Sequence, residues 1–186
     1  MGLFGKKKRD HLTLFFESEQ YDSGECEEIL KQARIISRGD IEAINAVEFA
    51  VRDPIKYIRD NAARFYARGI DIENEDFGDE FLAYDLVYIA MVDELIARGY
   101  CAEVGYDCGL SEFAAALGRI RGYEMVGSVI AEVITKLQKD GGVEDWIGSL
   151  NTELGGKAFI WKLPINLEIC PLAILDPAAY NEIING

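Results

Sequence analysis

Residues 79–98 form a helix-length stretch that is apolar nearly all the way round, and Gly99 closes it. A helix with one apolar stripe rests on a surface, whereas one that is apolar on every side must be covered on every side. The rest of the chain therefore has to supply the cover. At 186 residues the chain has enough length to do so, since a domain of this size buries about 70% of its unfolded surface.

The cover on the N-terminal side reads as helical. HLTLFF (11–16) admits a short strand or a first apolar anchor. Asp22 followed by Glu25 has the spacing of a helix cap with a returning carboxylate. A helix over 25–37 follows, with Ile29, Leu30, Ala33 and Ile36 on one face, stopped at Gly39. Asp40 caps a second helix to Val51, whose inward set is Ile41, Ile44, Val47 and Ala50 or Val51. Asp53-Pro54 is a start signal, because proline suits the first helical position. A third helix is expected over 54–68, with Ile55, Ile58, Ala62, Phe65 and Tyr66 inward. Residues 11–70 thus read as a helical stack.

After Gly99 the pattern changes. Residues 100–106 (YCAEVGY) alternate like a strand, and helices are expected over 112–117, 124–139 and 143–154. Gly155-Gly156-Lys157 reads as a turn feeding a strand. Two apolar strand-like runs, 158–163 and 167–175, form a hairpin, and Asp176-Pro177 opens a last helix. Helices first and few strands later, without regular alternation, give an α+β fold with a small sheet covered on one face by helices. The domain expectation is a basic, mobile tail over 1–10 and a single α+β domain over 11–186.

The stretch 92–117 ends a long helix with Ala97-Arg98-Gly99-Tyr100. It continues in a strand with Ala102, Glu103, Val104 and Asp107, then a helix with Phe113 and Leu117. Together with the distant hairpin and Asp176-Pro177, it resembles, over residues 79–186, a bacterial family of domains of unknown function. Where that family's strand ends Asp-Trp-Lys, this one reads Asp107-Cys108-Gly109. The resemblance implies a bacterial α+β domain and no activity.

Charge is unevenly spread. The first ten residues carry +3 and the whole chain −14, so the remainder carries −17. Such a body repels nucleic acid, which is bound by neutralising phosphates with Lys and Arg. It attracts basic proteins instead. The segment 71–80 holds six acids and no cation. Its Asp71, Glu73, Glu75, Asp76, Asp79 and Glu80 are the candidate contacts for a basic protein partner. Calcium is the competing reading, but Asp76 stands where the calcium loop needs glycine. In the head, Leu3 and Phe4 precede Lys6, Lys7, Lys8 and Arg9, a combination suited to weak contact with an anionic membrane. No apolar run reaches a membrane span and no apolar signal segment follows the cations, so the expected location is cytoplasmic.

Catalytic motifs are lacking. His11 is the only histidine, which leaves histidine triads and His-based metal sites resting on one residue beside a tail. Cys26, Cys101, Cys108 and Cys170 form no C-x-x-C pair and no disulfide framework. No metal or cofactor is indicated. One carboxylate stands out: Asp85 lies within the apolar helix between Tyr84 and Leu86, with Tyr88 a turn on. Burying an unpaired charge is costly, so Asp85 either faces a cleft with Tyr88 as a catalytic pair or forms an ion pair with an arginine of residues 29–70. The ion pair is the preferred reading. The chain therefore reads first as an acidic, immunity-like protein-interaction module, with an enzyme built on Asp85 and Tyr88 and a membrane-associated protein anchored by its basic head as the alternatives.

Overall fold

The computed structural model describes residues 10–19, 21–73, 81–138, 141–165 and 167–185. Its first element, α1 (His11–Glu19), is a helix where the sequence left a strand open. The reason is spacing. Leu12, Phe15 and Phe16 are buried at helical intervals, whereas strand alternation would bury Leu14, which is 47% exposed. Asp10 starts the helix by accepting the Thr13 N–H at 3.0 Å.

Helix α2 (Ser23–Ile36) opens on the expected capping box of Asp22 and Glu25. It buries Ile29, Leu30, Ala33 and Ile36. Arg38 and Gly39 then turn the chain with φ of 54° and 76°. Asp40 caps α3 (Ile41–Arg52) through the N–H groups of Glu42 and Ala43. The buried line of α3 is Ala43, Val47, Ala50 and Val51, while Ile41 is 66% exposed. The inward face is rotated from the expected one, and its small residues let α3 lie against the central helix.

The expected helix over 54–68 is two: α4 (Pro54–Asp60) and α5 (Ala62–Ala67). Asn61 breaks it, its side-chain N–H donating to the Tyr57 carbonyl at 2.9 Å. Such a side chain competes with the helical backbone pattern. The break puts Tyr57 in the core and leaves Tyr66, expected inward, 42% exposed.

The central helix α6 (Ala83–Ala97) is covered on all sides, with every residue from Leu86 to Leu95 buried. It packs on α1, α2, α3 and α4 and on the first strand, β1 (Cys101–Gly105). Beyond it come α7 (Leu110–Leu117), α8 (Tyr123–Ile134) and α9 (Val143–Leu154). The chain ends with β2 (Phe159–Lys162), β3 (Ile169–Leu175) and α10 (Pro177–Asn185). The described residues thus form a helix-rich α+β fold with one antiparallel sheet of order β1-β3-β2.

Helices cover both faces of that sheet, rather than the single face expected. Cys101, Ala173 and Leu175 join the cluster around α6. Ala102, Val104, Ile160, Cys170, Leu172 and Ile174 join a second cluster under α7, α8 and α9. The physical cause is β3, whose ICPLAIL sequence is apolar on both sides and so needs cover on both. Its Pro171 has no N–H to give, but β2 has already ended there, and Leu163 donates to the Pro171 carbonyl at 2.9 Å. The outer edge of β2 is closed by Asn151 of α9. Its side chain accepts the Ile160 N–H at 2.7 Å and donates to the Ile160 carbonyl at 2.9 Å.

Candidate interaction surface

The buried charge of α6 is Asp93 and Glu94, 6% and 9% exposed. Arg68, just after α5, pairs with Asp93 and donates from Nη1 to Glu103 Oε2 of β1 at 2.6 Å. Glu94 Oε1 accepts from the Tyr57 hydroxyl at 2.6 Å and from Arg64 Nη1 at 3.1 Å, while Arg98 holds its other oxygen. Burial pushes the Asp93 carboxyl up, with the Arg68 charge opposing it. Burial acts on Glu94 in the same direction, yet the hydrogen bonds from Tyr57, Arg98 and Arg64 outweigh it and hold Glu94 below its ordinary value. These groups tie α4, α5, α6 and β1 together, and their charges are spent on one another.

Arginines of the N-terminal stack do pair with a carboxylate of the central helix, but with Asp93 and Glu94 in place of Asp85. Asp85 lies in the first turn of α6 and accepts the Leu82 N–H at 2.9 Å. Tyr88 is buried, and its hydroxyl donates to Gln32 Oε1 of α2 at 2.8 Å. Its ring stacks on Tyr84 with centroids 5.7 Å apart, and burial pushes its phenol up. One group is committed to a helix start and the other to α2.

The acidic segment after α5 gives a different picture. Ile72 is buried, while Asp71 and Glu73 on either side of it are exposed. Burying every second residue of this short run anchors it to the body and turns both carboxylates outward. Asp71 accepts the Glu73 N–H at 3.1 Å, and neither carboxylate has a lysine or arginine partner among the described residues. Beside them stands the exposed ring of Tyr66. Its phenol is pushed up by desolvation first, then by the charges of Glu73 and Asp71 and a hydrogen bond to Asp71. Glu75, Asp76, Asp79 and Glu80 lie outside the described residues, as do Leu3, Phe4, Lys6, Lys7, Lys8 and Arg9.

Next to this patch is a cleft of about 350 Å³ bordered by Asp10, His11, Arg59, Ile72 and Glu73. Asp10 is paired with Arg59, which, together with the Thr13 backbone, holds its carboxyl at about 2. Tyr66 is the residue that sequence reasoning missed. Helical periodicity placed it inward, and only the break at Asn61 turns it out. Among the described residues no group of three His, Cys, Asp or Glu side chains is placed to hold a metal ion. The buried thiols of Cys101 and Cys170 are pushed up by desolvation, that of Cys170 to about 12, which suppresses the reactive thiolate.

No curated protein and no solved structure matches the chain. The model of one family matches residues 28–185, reaching well upstream of residues 79–186, whose motifs carry the resemblance. The matched unit takes in the greater part of α2, from residue 28, and the whole of α3, α4 and α5, so most of the helical stack shares one family pattern with the sheet. The chain belongs to the family described as "Domain of unknown function (DUF6630)".

Proposed function

We propose that this protein is an acidic, immunity-like interaction module that docks a basic protein partner on the surface formed by Tyr66, Asp71 and Glu73. A single contrast carries this reading. The buried acids Asp93 and Glu94 are each matched by arginine, whereas Asp71 and Glu73 stand exposed, with no lysine or arginine partner among the described residues, beside an exposed aromatic ring. Binding hot spots are enriched in tyrosine within a rim of polar residues. Opposite charge on the partner would add steering and salt sensitivity. The acidic residues that continue the segment to Glu80 extend the same charge along the chain. The four free thiols suit a reducing compartment such as the cytoplasm.

The test is capture from native lysate by the immobilised full chain, against the triple variant Y66A/D71N/E73Q. The expected result is a basic protein retained in stoichiometric amount at low salt and lost as salt rises. The triple variant should weaken it about 30-fold, the loss of roughly 2 kcal/mol that marks a hot spot. A partner held equally by both chains, or no partner across repeated low-salt trials, refutes the proposal.

A further inference from the structure

A second cleft, of about 290 Å³, opens between α8, the end of α9 and the end of β3. It shares no residue with the Tyr66 surface. Its floor is apolar, built from Val126, Leu154, Ile174 and Leu175. Its rim is charged with both signs: Arg38 and Lys157 on one account, Glu153 and Asp176 on the other. Small-molecule sites run from about 300 Å³ upward, so this one sits at the lower limit and suits a ligand no larger than an amino acid.

Two details set this rim apart from an ordinary charged surface. Arg38 is the one described residue other than glycine with positive φ, at 54°. Backbone strain of this kind concentrates at functional positions. Opposite it, Gly122 has φ 97°, and a Cβ there would stand 2.5 Å from Arg38 Nη2. The missing side chain makes room for the guanidinium. Second, the rim charges have not neutralised one another. Arg38 and Lys157 have no carboxylate partner among the described residues, although Glu153 and Asp176 border the same space. Asp176 uses Oδ1 to cap α10 through the Ala179 N–H at 2.9 Å, leaving Oδ2 over. Lys157 reaches the rim from the turn at Gly155 and Gly156, both of positive φ.

We infer that this cleft binds a free α-amino acid with an apolar side chain. Both charges of the rim and the floor are then used at once. The ligand carboxylate meets Arg38, whose planar fork suits two oxygens, and Lys157. The ligand ammonium meets Glu153 and the free oxygen of Asp176. The side chain lies on Leu154, Ile174 and Leu175, where its burial supplies the hydrophobic part of the affinity. A simple anion would leave Glu153 and Asp176 repelling it, and a simple cation would leave Arg38 and Lys157 doing so.

The test is calorimetric titration and thermal shift of the full chain with L-leucine and L-phenylalanine. Controls are glycine, N-acetyl-L-phenylalanine and L-phenylalaninamide, each lacking one of the three recognised features. Leucine or phenylalanine should raise the melting temperature, and each control should bind at least about tenfold more weakly, through loss of a charge-assisted hydrogen bond in the two blocked compounds and of the buried side chain in glycine. Arg38→Asn keeps a residue that tolerates positive φ. It should weaken L-phenylalanine about tenfold and leave L-phenylalaninamide unchanged, while Glu153→Gln should weaken L-phenylalanine and leave N-acetyl-L-phenylalanine unchanged. Both variants should melt as the parent does without ligand. No binding of either amino acid at millimolar concentration, controls that bind as well as they do, or an Arg38→Asn chain of unaltered affinity would each overturn the inference.

Discussion

Replacing Arg68 by methionine isolates what the buried charge of the central helix is worth. The Arg68 side chain is 11% exposed and that of its partner Asp93 only 5%. Removing one member of a buried ion pair strands the other, at a cost of about 3–5 kcal/mol. The second partner, Glu103, keeps 37% of its side chain in solvent, so its loss adds no more than about 1 kcal/mol. For a chain of this length, each kcal/mol lowers the melting temperature by roughly 2–4 °C, so Arg68→Met should melt about 6–24 °C lower.

The pH dependence has a defined sign. Burial already raises the Asp93 carboxyl, and Arg68 is the main influence holding it down. Without Arg68 it rises further. A raised carboxyl destabilises while charged, and the penalty is relieved as pH falls through the folded value towards the unfolded value of 3.8. The damage from Arg68→Met should therefore be greatest at neutral pH and shrink in mild acid. Urea unfolding at neutral pH and at about pH 5 reads both quantities. The double variant Arg68→Met with Asp93→Leu removes the stranded charge and should recover most of the loss, as apolar replacements of buried pairs do. A loss below about 1 kcal/mol, or a double variant as unstable as the single one, refutes the reasoning.

Acid should act on the parent chain in the opposite direction. Glu94, Asp10 and Asp40 are held below their ordinary values of 4.5, 3.8 and 3.8. The stability they contribute is complete above those values and is lost as pH falls through the folded ones, down to about 2 for Asp10. Melting followed by circular dichroism should fall across that window, and Tyr57→Phe should move the fall to higher pH by removing a hydrogen bond from Glu94. Asn151→Ala should cost about 1–3 kcal/mol by leaving the Ile160 backbone groups unsatisfied, with faster hydrogen exchange at the Ile160 amide; unchanged exchange there would show that water replaces the side chain. Asp22→Ala should cost about 1 kcal/mol through loss of the capping box, measured by urea unfolding.

Local chemistry in this chain was legible wherever it sufficed to decide structure. The caps at Asp22, Asp40, Asp53 and Asp176, the glycine stop after α6 and the hairpin of β2 and β3 each depend on residues a few positions apart. The failures share one cause, which is that a helix face is chosen by what lies across from it. The pattern around 79–98 showed that the helix would be enclosed, and an enclosed helix has no polar face to mark where its charges point. Asp85 was singled out because it interrupts the apolar run early. Near the helix start, however, a carboxylate has a backbone N–H to accept, which is the bond Asp85 makes to Leu82. Asp93 and Glu94, deeper in the run, had no such outlet and needed arginines. One of these was readable, since Arg98 stands four residues after Glu94 on the same face. Arg64 and Arg68 were not, because they reach α6 only after Asn61 has broken the helix before them. That same break exposes Tyr66 between the fold and its acidic segment. The sequence could show the acids of the surface proposed for docking, but the exposed ring of Tyr66 beside them depends on a turn that periodicity alone does not record.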